Sequence, residues 1–493
     1  MNKAVVIGSG IGGLTSAILL AQRGWKVTVL EQHYRPGGCL HRFFRQGLGF
    51  DTGFHYVGSA GPDESFGRIM RHLGVYDRVQ WRPMDAAGFD VLRFPEFEIS
   101  VPRGLTAWQQ RLEEAFPSEV KGIRAYVQLH REAVSAYGLY NLDLGISSLD
   151  VIRWEEMPLT TVLSELFSDE RLRAVIAGHG APLYGVPPSE APFGVHAVVT
   201  DHFLGGGWRI AGGGDRLAKA LCSRLRELGG EILLRAEVDR IQVADGVATG
   251  VILKDGREFS ASLVVANNHP KRVAEMLPAG SLRPIYRERL AEMSPGRSHF
   301  GVYFRIRGDL AVCEGRNLFR YSTWDVEAAE RGGDLGEVPF YFLTAPDPGI
   351  ALAIVASNWE QWSSHHVEVP SLRSGEGPAR EEGYRRQKEV MIRAIVDTLR
   401  REHPTVEWEL LDASTPVTAA HYLRTPNGAS YGHYHTVGQM GRYRIPSAVR
   451  VRQLVQVGQS VAFPGICGAA MSAYSGLGGV LGLETLVQEL RAL

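Results

Sequence analysis

The chain has 493 residues, 44% hydrophobic and 22% charged, with 53 Lys and Arg against 54 Asp and Glu. That length suits two or three domains with a large core, and the composition excludes a disordered or fibrous chain. A formal net charge of −1 without any basic stripe argues against nucleic acid as a partner. The four cysteines (Cys39, Cys222, Cys313, Cys467) are scattered and form no C-x-x-C pair. Neither a disulfide framework nor a cysteine zinc site is therefore expected, and a reducing compartment is.

Lys3 to Ile7 is a short apolar run that suits a buried parallel strand. Gly8, Gly10 and Gly13 follow in G-x-G-x-x-G spacing, and with Gly12 they interrupt the apolar stretch that a signal peptide would need. Leu14, Ala17, Ile18 and Ala21 recur at helical spacing, and Gly24 ends that helix. A second strand, Trp25 to Leu30, closes at Glu31. In such a unit the first glycine permits the tight turn and the second lets the backbone approach a pyrophosphate. The third allows close helix-to-strand packing, and the helix N-terminus supplies free N–H groups. Glu31 would accept a hydrogen bond from a ribose hydroxyl and would disfavour a 2′-phosphate. These residues predict a dinucleotide site, with NAD and FAD both open.

Residues 62 to 209 read as a mainly helical insertion with a few strands, with amphipathic stretches at Leu105 to Phe116 and Ile123 to Tyr140 and frequent prolines. Such a layer either roofs a substrate cavity or is plain packing. After Gly212-Gly213-Gly214 comes a helix from Asp215 to Leu228, a strand from Glu231 to Leu234, and a meander from Val238 to Phe259. Asp245-Gly246 and Asp255-Gly256 supply its hairpin turns. Leu263 to Ala266 is again a buried strand, which completes the dinucleotide domain after its interruption. From 276 to 450, runs such as Phe300 to Ile306 and Ala351 to Ser357, with a helix over Tyr384 to Arg401, suit an antiparallel sheet with a covering helix. Gln453 to Leu483 carries no charge and is long enough to span a bilayer, yet its glycines, Pro464 and three glutamines fit a strand, a turn and a buried helix better. The expected location is cytoplasmic, at most peripheral on a membrane.

Glu31, the Gly37-Gly38 pair, and Gly47, Phe50, Asp51 and Gly53 together resemble the amine oxidase and phytoene desaturase superfamily of flavoproteins. Pro416, Thr418, Tyr422, Pro426, Gly428, Tyr431 and Gly432 match a series similar to carotenoid desaturases, carotenoid cis–trans isomerases and retinol saturases. The nearest resemblance is to retinol saturases. It rests on Asp51-Thr52-Gly53 followed by His55-Tyr56-Val57-Gly58, on Cys39-x-His41, on Leu183-Tyr184-Gly185, and on Tyr431-Gly432 with His435.

The resemblance implies an α/β fold in which a Rossmann-type FAD-binding domain, of the glutathione reductase/amine oxidase type, is interleaved with an antiparallel-sheet substrate domain. The boundaries read as 1–61, 210–275 and 455–493 for the FAD domain, and 62–209 and 276–454 for a substrate domain with a helical cap. It implies FAD, with the Gly-Gly loop along the pyrophosphate, Val238 at the adenine through its backbone, and the helix after Pro464-Gly465 against the flavin pyrimidine edge. The family commonly has Arg after Gly-Gly where this chain has Cys39, which leaves Arg42 as the candidate cation. The expected cofactor set is Gly8, Ser9, Gly10, Ile11, Gly12, Gly13, Glu31, Gln32, Gly37, Gly38, Arg42, Val238, Ala266, Gly458, Gly465, Ile466 and Gly468.

Flavin exchanges hydride, and a polyene offers no polar handle, so little acid–base machinery need show. His55, Tyr56 and His435 are the candidate catalytic groups. His433-x-His435 and His365-His366 lack acidic or cysteine partners at ligand spacing, so no metal is expected. The leading expectation is an FAD-dependent oxidoreductase acting on C=C bonds of a hydrophobic carotenoid or retinoid, with NAD(P)H a candidate external reductant and a peripheral membrane contact to deliver substrate. The competitors are a redox-neutral cis–trans isomerase, an amine oxidase-type enzyme, and a non-enzymatic prenyl or lipid carrier of the GDP-dissociation-inhibitor type.

Overall fold

A computed structural model of the chain describes residues 2–145, 148–367 and 380–493. The apolar run Lys3–Ile7 forms the middle strand of a five-stranded parallel sheet. Its spatial order is Glu231–Leu233, Lys26–Leu30, Lys3–Ile7, Leu263–Ala266, Leu454–Gln456. Val5 aligns with Thr28 on one side and Val264 on the other, and Val265 aligns with Val455. Alternate residues serve opposite faces, as a strand requires. Ala4 and Val6 join Leu14, Ile18, Ala470 and Tyr474 under helices Ile11–Gln22 and Gly465–Leu481. Val5 and Ile7 instead pack against Ile241 and Val251 of the meander.

The meander runs through Val238–Ala244, Val247–Leu253 and Glu258–Ser260. Asp245 and Gly246 both take positive φ (51° and 72°), the geometry of a tight type I′ hairpin.

A seven-stranded sheet draws on two distant stretches. Its order is Glu407–Ser414, Ser298–Arg307, Ile350–Ser357, Phe340–Thr344, Asn317–Tyr321, Asp90–Phe94, Phe97–Val101. Neighbours are antiparallel except Asn317–Tyr321 beside Asp90–Phe94, which pair in parallel. The sheet is thus mixed, and its last two strands come from the mainly helical 62–209 region. Helix Glu382–Glu402 covers one face through Met391, Ile395 and Leu399. The helical layer that includes Leu105–Ala115, Val120–Ser135, Glu170–Tyr184 and Phe193–Leu204 packs on the other through Phe94, Phe319 and Tyr321.

Two expected helices are shorter than periodicity suggested. The one begun at Ile123 stops at Ser135, and the terminal helix breaks at Gly482, whose φ of +83° lies in the left-handed region, before resuming at Leu483–Arg491. Among the described residues no helix is long and apolar enough to cross a membrane. Cys39, Cys222, Cys313 and Cys467 are free thiols.

Candidate functional site

The ends of the parallel strands open into one cleft of about 1360 Å³, larger than an ordinary small-ligand pocket of roughly 300–1,000 Å³. At one end lie Gly8, Gly10, Ile11 and Gly12. A Cβ on Gly13 would overlap the Gly8 carbonyl oxygen, so strand and helix meet here with no room for a side chain. The Gly37-Gly38 loop crosses against Gly10, where a Cβ on Gly38 would lie 3.2 Å from the Gly10 Cα.

Helix Ile11–Gln22 starts at this loop and helix Gly465–Leu481 starts across the cleft, with Gly465, Ile466 and Gly468 in the lining. No side chain caps either N-terminus. Both therefore present free N–H groups and the positive end of a helix dipole to the cleft, which suits phosphate and electron-rich groups. A glycine cradle with two uncapped helix ends is what a bound dinucleotide requires, and the residues present fit FAD.

Glu31 lines the cleft and is fixed by its own loop. Its Oε2 accepts hydrogen bonds from the Ser9 N–H (2.8 Å) and hydroxyl (2.6 Å), and its Oε1 accepts from the His33 N–H (2.8 Å). A carboxylate accepts about four bonds, so one position stays open for a ribose hydroxyl. Gln32, Gly37, Gly38, Val238 and Gly458 also face the cleft.

Four members of the expected set do not. Ser9 braces the loop by accepting from the Gly37 N–H at 3.1 Å, Gly13 serves packing, and Ala266 is fully buried in the sheet. Arg42 also stands outside the cleft lining. Its guanidinium bonds Asp347 at 2.9 Å and pairs with Asp51 at 3.1 Å, so this 7%-exposed cation is committed to two carboxylates. The basic groups beside the Gly-Gly loop in the cleft are instead Arg35, His33 and His41, the two imidazoles stacking at 4.9 Å. Burial holds the His41 imidazole down to about 4, so it serves as a neutral donor or acceptor.

Beyond the cradle the cleft continues as an apolar arm lined by Phe203, Phe319, Phe340, Phe342, Ile354 and Leu183. Tyr56 sits between Phe203 (4.7 Å) and Phe342 (6.2 Å), and His55 faces Phe342 at 6.0 Å. The helical layer supplies much of this wall, so it borders the cavity as well as packing on the sheet.

The Tyr56 hydroxyl donates to Asp90 at 2.9 Å. Asp90 is fully buried and also accepts from His179 Nε2 (3.2 Å) and Asn317 Nδ2 (2.9 Å). Burial first, and then the Asp90 charge, raise the Tyr56 phenol well above its usual range. His55 goes the other way: burial, reinforced by Arg209, lowers it to about 4 and keeps it neutral. His435 does not reach the cleft. It is wholly buried, donates from Nε2 to the Gln459 carbonyl at 3.1 Å, and packs on His433 at 4.5 Å.

Asn267 and His202, not singled out in the sequence, also line the cleft. Asn267 ends the strand Leu263–Ala266, donates its N–H to the Ile7 carbonyl, and stands among Gly8, Gly10 and Gly12. Its place at the tip of a predicted strand was the available signal. His202 had none, being one of 16 histidines.

The family model for flavin containing amine oxidoreductase matches residues 11–475. All-trans-retinol 13,14-reductase from Danio rerio is 28% identical, covering 95% of this chain and 84% of that protein. The Homo sapiens protein of the same name is 30% identical with the same coverage. The crystal structure of an oxidoreductase from Methanosarcina mazei is similar in fold, with a TM-score of 0.65 at 18% identity over 96% of this chain and 99% of that one.

Proposed function

The chain belongs to the flavin containing amine oxidoreductase family and is an oxidoreductase with FAD as its cofactor; from that premise we propose that it reduces a C=C bond in a polyene of the retinoid or carotenoid class. The observation that carries this reading is the shape of the cleft, which runs without a break from a dinucleotide cradle into an arm walled by aromatic and aliphatic side chains. Such an arm binds a long hydrocarbon by excluding water, and it positions the chain without polar contacts at the reacting bond.

FAD bound in the cradle supplies hydride exchange. Residues of the chain do the rest. Gly8, Gly10, Gly12, Gly37 and Gly38 admit the pyrophosphate, Glu31 takes a ribose hydroxyl, and the N-terminus of helix Gly465–Leu481 favours negative charge on the ring. Reduction of C=C adds a proton as well as a hydride. Tyr56, flanked by Phe203 and Phe342, would deliver that proton by turning its hydroxyl from Asp90 toward the arm. The retinol 13,14-reductases among its relatives favour saturation over desaturation. His55, uncharged near neutral pH, acts as a hydrogen-bonding group in the wall.

The division into a cofactor domain (1–61, 210–275, 455–493) and a substrate domain (62–209, 276–454) goes with this reading, as does a peripheral contact with a lipid surface to deliver an apolar substrate.

Anaerobic incubation of the FAD-loaded protein, once with the flavin reduced and once with it oxidised, with retinol, phytoene or poly-cis-lycopene tests it. A product heavier by two hydrogens supports saturation. Loss of two hydrogens would reverse the proposed direction, unchanged mass with a shifted spectrum would mark an isomerase, and a protein that takes up no FAD would overturn the assignment.

A further inference from the structure

The floor of the apolar arm is one row of residues running across the seven-stranded sheet. Phe319 pairs with Phe342, Phe342 with Ile354, Ile354 with Gly301, and Gly301 with Ser414, and all of these line the cleft. Directly opposed residues share a face of a sheet, so the row is continuous. Strands lie about 4.8 Å apart, so the row spans roughly 19 Å, which suits an extended conjugated chain. Its character changes along that length. Two phenyl rings and an isoleucine give way to a glycine and then to Ser414 on the edge strand Glu407–Ser414, where the Ser414 hydroxyl meets that of Tyr303 at 3.0 Å.

Charge stands beyond this polar end. Asp412 precedes Ser414 by two residues, on the same face of the edge strand, and also lines the cleft. Its Oδ2 accepts from Arg45 Nε at 2.7 Å, and its Oδ1 accepts from the Ala413 N–H at 2.7 Å. Lys388, on helix Glu382–Glu402, holds its Nζ 3.7 Å from Oδ1, beyond hydrogen-bond distance. Arg45 Nη1 donates to the Phe44 carbonyl at 2.9 Å, and its Nη2 makes no hydrogen bond among the described residues. Arg380, in the same lining, is turned to the Tyr384 ring (4.9 Å) and the His365 carbonyl (3.1 Å). Arg45 and Lys388 therefore line the cleft with donors to spare, their side chains 50% and 24% exposed. Two cations share one carboxylate, so positive charge is left over where the apolar floor ends. A hydrocarbon answers none of these donors and an alcohol offers no charge, whereas a carboxylate accepts from both cations and neutralises the excess.

We propose that Arg45 and Lys388 form an anion site at the edge-strand end of the arm, which holds the carboxylate head of a polyene acid while its chain lies along the row from Ser414 to Phe319. This inference rests on the polyene reading above and narrows its substrate class.

The test titrates the FAD-loaded protein with all-trans-retinoic acid and with its methyl ester, which keeps the chain and loses the charge, following quenching of tryptophan fluorescence. Wild type is expected to favour the acid. Arg45→Gln/Lys388→Gln should cut the ratio of acid to ester affinity by about tenfold, the sum of two half-exposed charge-assisted contacts. Arg45→Lys/Lys388→Arg, which keeps both charges, should retain the preference, and added salt should shrink it in wild type. If the ratio is the same in wild type and in the double glutamine variant, the inference falls while the polyene reading stands. Phosphatidylglycerol and phosphatidylcholine vesicles separate a second source of negative charge. Loss of binding to phosphatidylglycerol vesicles alone, with the acid-to-ester ratio unchanged, would assign the two cations to a lipid surface and overturn the inference. Equal weakening of acid and ester with loss of bound FAD would assign them to the cofactor and overturn it too. Failure of wild type to bind either ligand would overturn the polyene reading, and the inference with it.

Discussion

A Cβ on Gly12 would stand 2.9 Å from the carbonyl oxygen of Ala469. Helices Ile11–Gln22 and Gly465–Leu481, from opposite ends of the chain, therefore touch backbone to backbone beside the cleft. The same Cβ would lie 2.7 Å from Asn267 Oδ1, so three segments converge on one glycine.

Gly12→Ala should force these segments apart. Overpacking of this kind costs about 1–3 kcal/mol, and the separated helix ends should hold FAD less tightly. Flavin absorbance per protein after gel filtration reads the second effect, and denaturant unfolding reads the first. Gly479→Ala is the control, because a Cβ there meets nothing within 4 Å. Retention of full flavin by Gly12→Ala would contradict the convergence.

Arg42 is expected to act on stability. Removing it as Arg42→Met leaves Asp51 and Asp347 without their shared cation, and breaking a buried pair from one side costs about 3–5 kcal/mol. Asp51 also accepts the Gly214 N–H at 2.9 Å, at the start of helix Gly214–Glu227, so the damage should spread to that helix. Adding Asp51→Asn should recover part of the loss. An Arg42→Met protein of normal stability but weak FAD affinity would return Arg42 to the pyrophosphate.

Tyr56→Phe keeps the ring between Phe203 and Phe342 and removes only the hydroxyl. Turnover should fall by about a hundredfold or more, the scale of general acid catalysis, with polyene binding little changed. His435→Ala, away from the cleft, should alter stability before rate. Single-turnover reduction beside equilibrium binding separates these effects, and an unchanged rate in Tyr56→Phe would remove it as the proton donor.

Stability should fall on acidification. Burial holds His41 and His55 down to about 4 and His202, His269 and His299 to about 3, against an ordinary 6.5. Below pH 6.5 the unfolded chain binds protons that the folded chain refuses, so unfolding is favoured as pH drops through that window. Asp51 works in the opposite sense. Burial outweighs Arg42 and raises it to about 6 from 3.8, so its share of stability is gained as pH falls between those values. Burial raises Asp201 and Glu330 as well, yet the five imidazoles outnumber these three carboxyls. Melting temperatures measured from pH 7 down to about pH 5 should decline, and His299→Gln should flatten the slope.

The cofactor cradle was legible in sequence because its information is local. Lys3–Ile7, the glycines that follow it and the helix from Ile11 are contiguous, and each residue type there answers to backbone geometry that any neighbour would impose. The strand ending at Ala266 and the helix opening at Gly465 were readable for the same reason, through apolar runs bounded by glycine and proline. What pairs with what was decided only in three dimensions. Nothing near Arg42 in sequence announces Asp347, so a cation offered to a phosphate turned out to hold two carboxylates. Nothing in the 62–209 stretch announces that Asp90–Phe94 and Phe97–Val101 complete a sheet begun two hundred residues later, with a parallel pairing at the join. His435 and His202 were alike as letters, and the fold buried one against a carbonyl and left the other unpaired in the cleft wall. Periodicity and glycine placement set the backbone, which depends on short-range sterics. The partners of buried polar side chains depend on long-range packing, and only the folded chain brings those together.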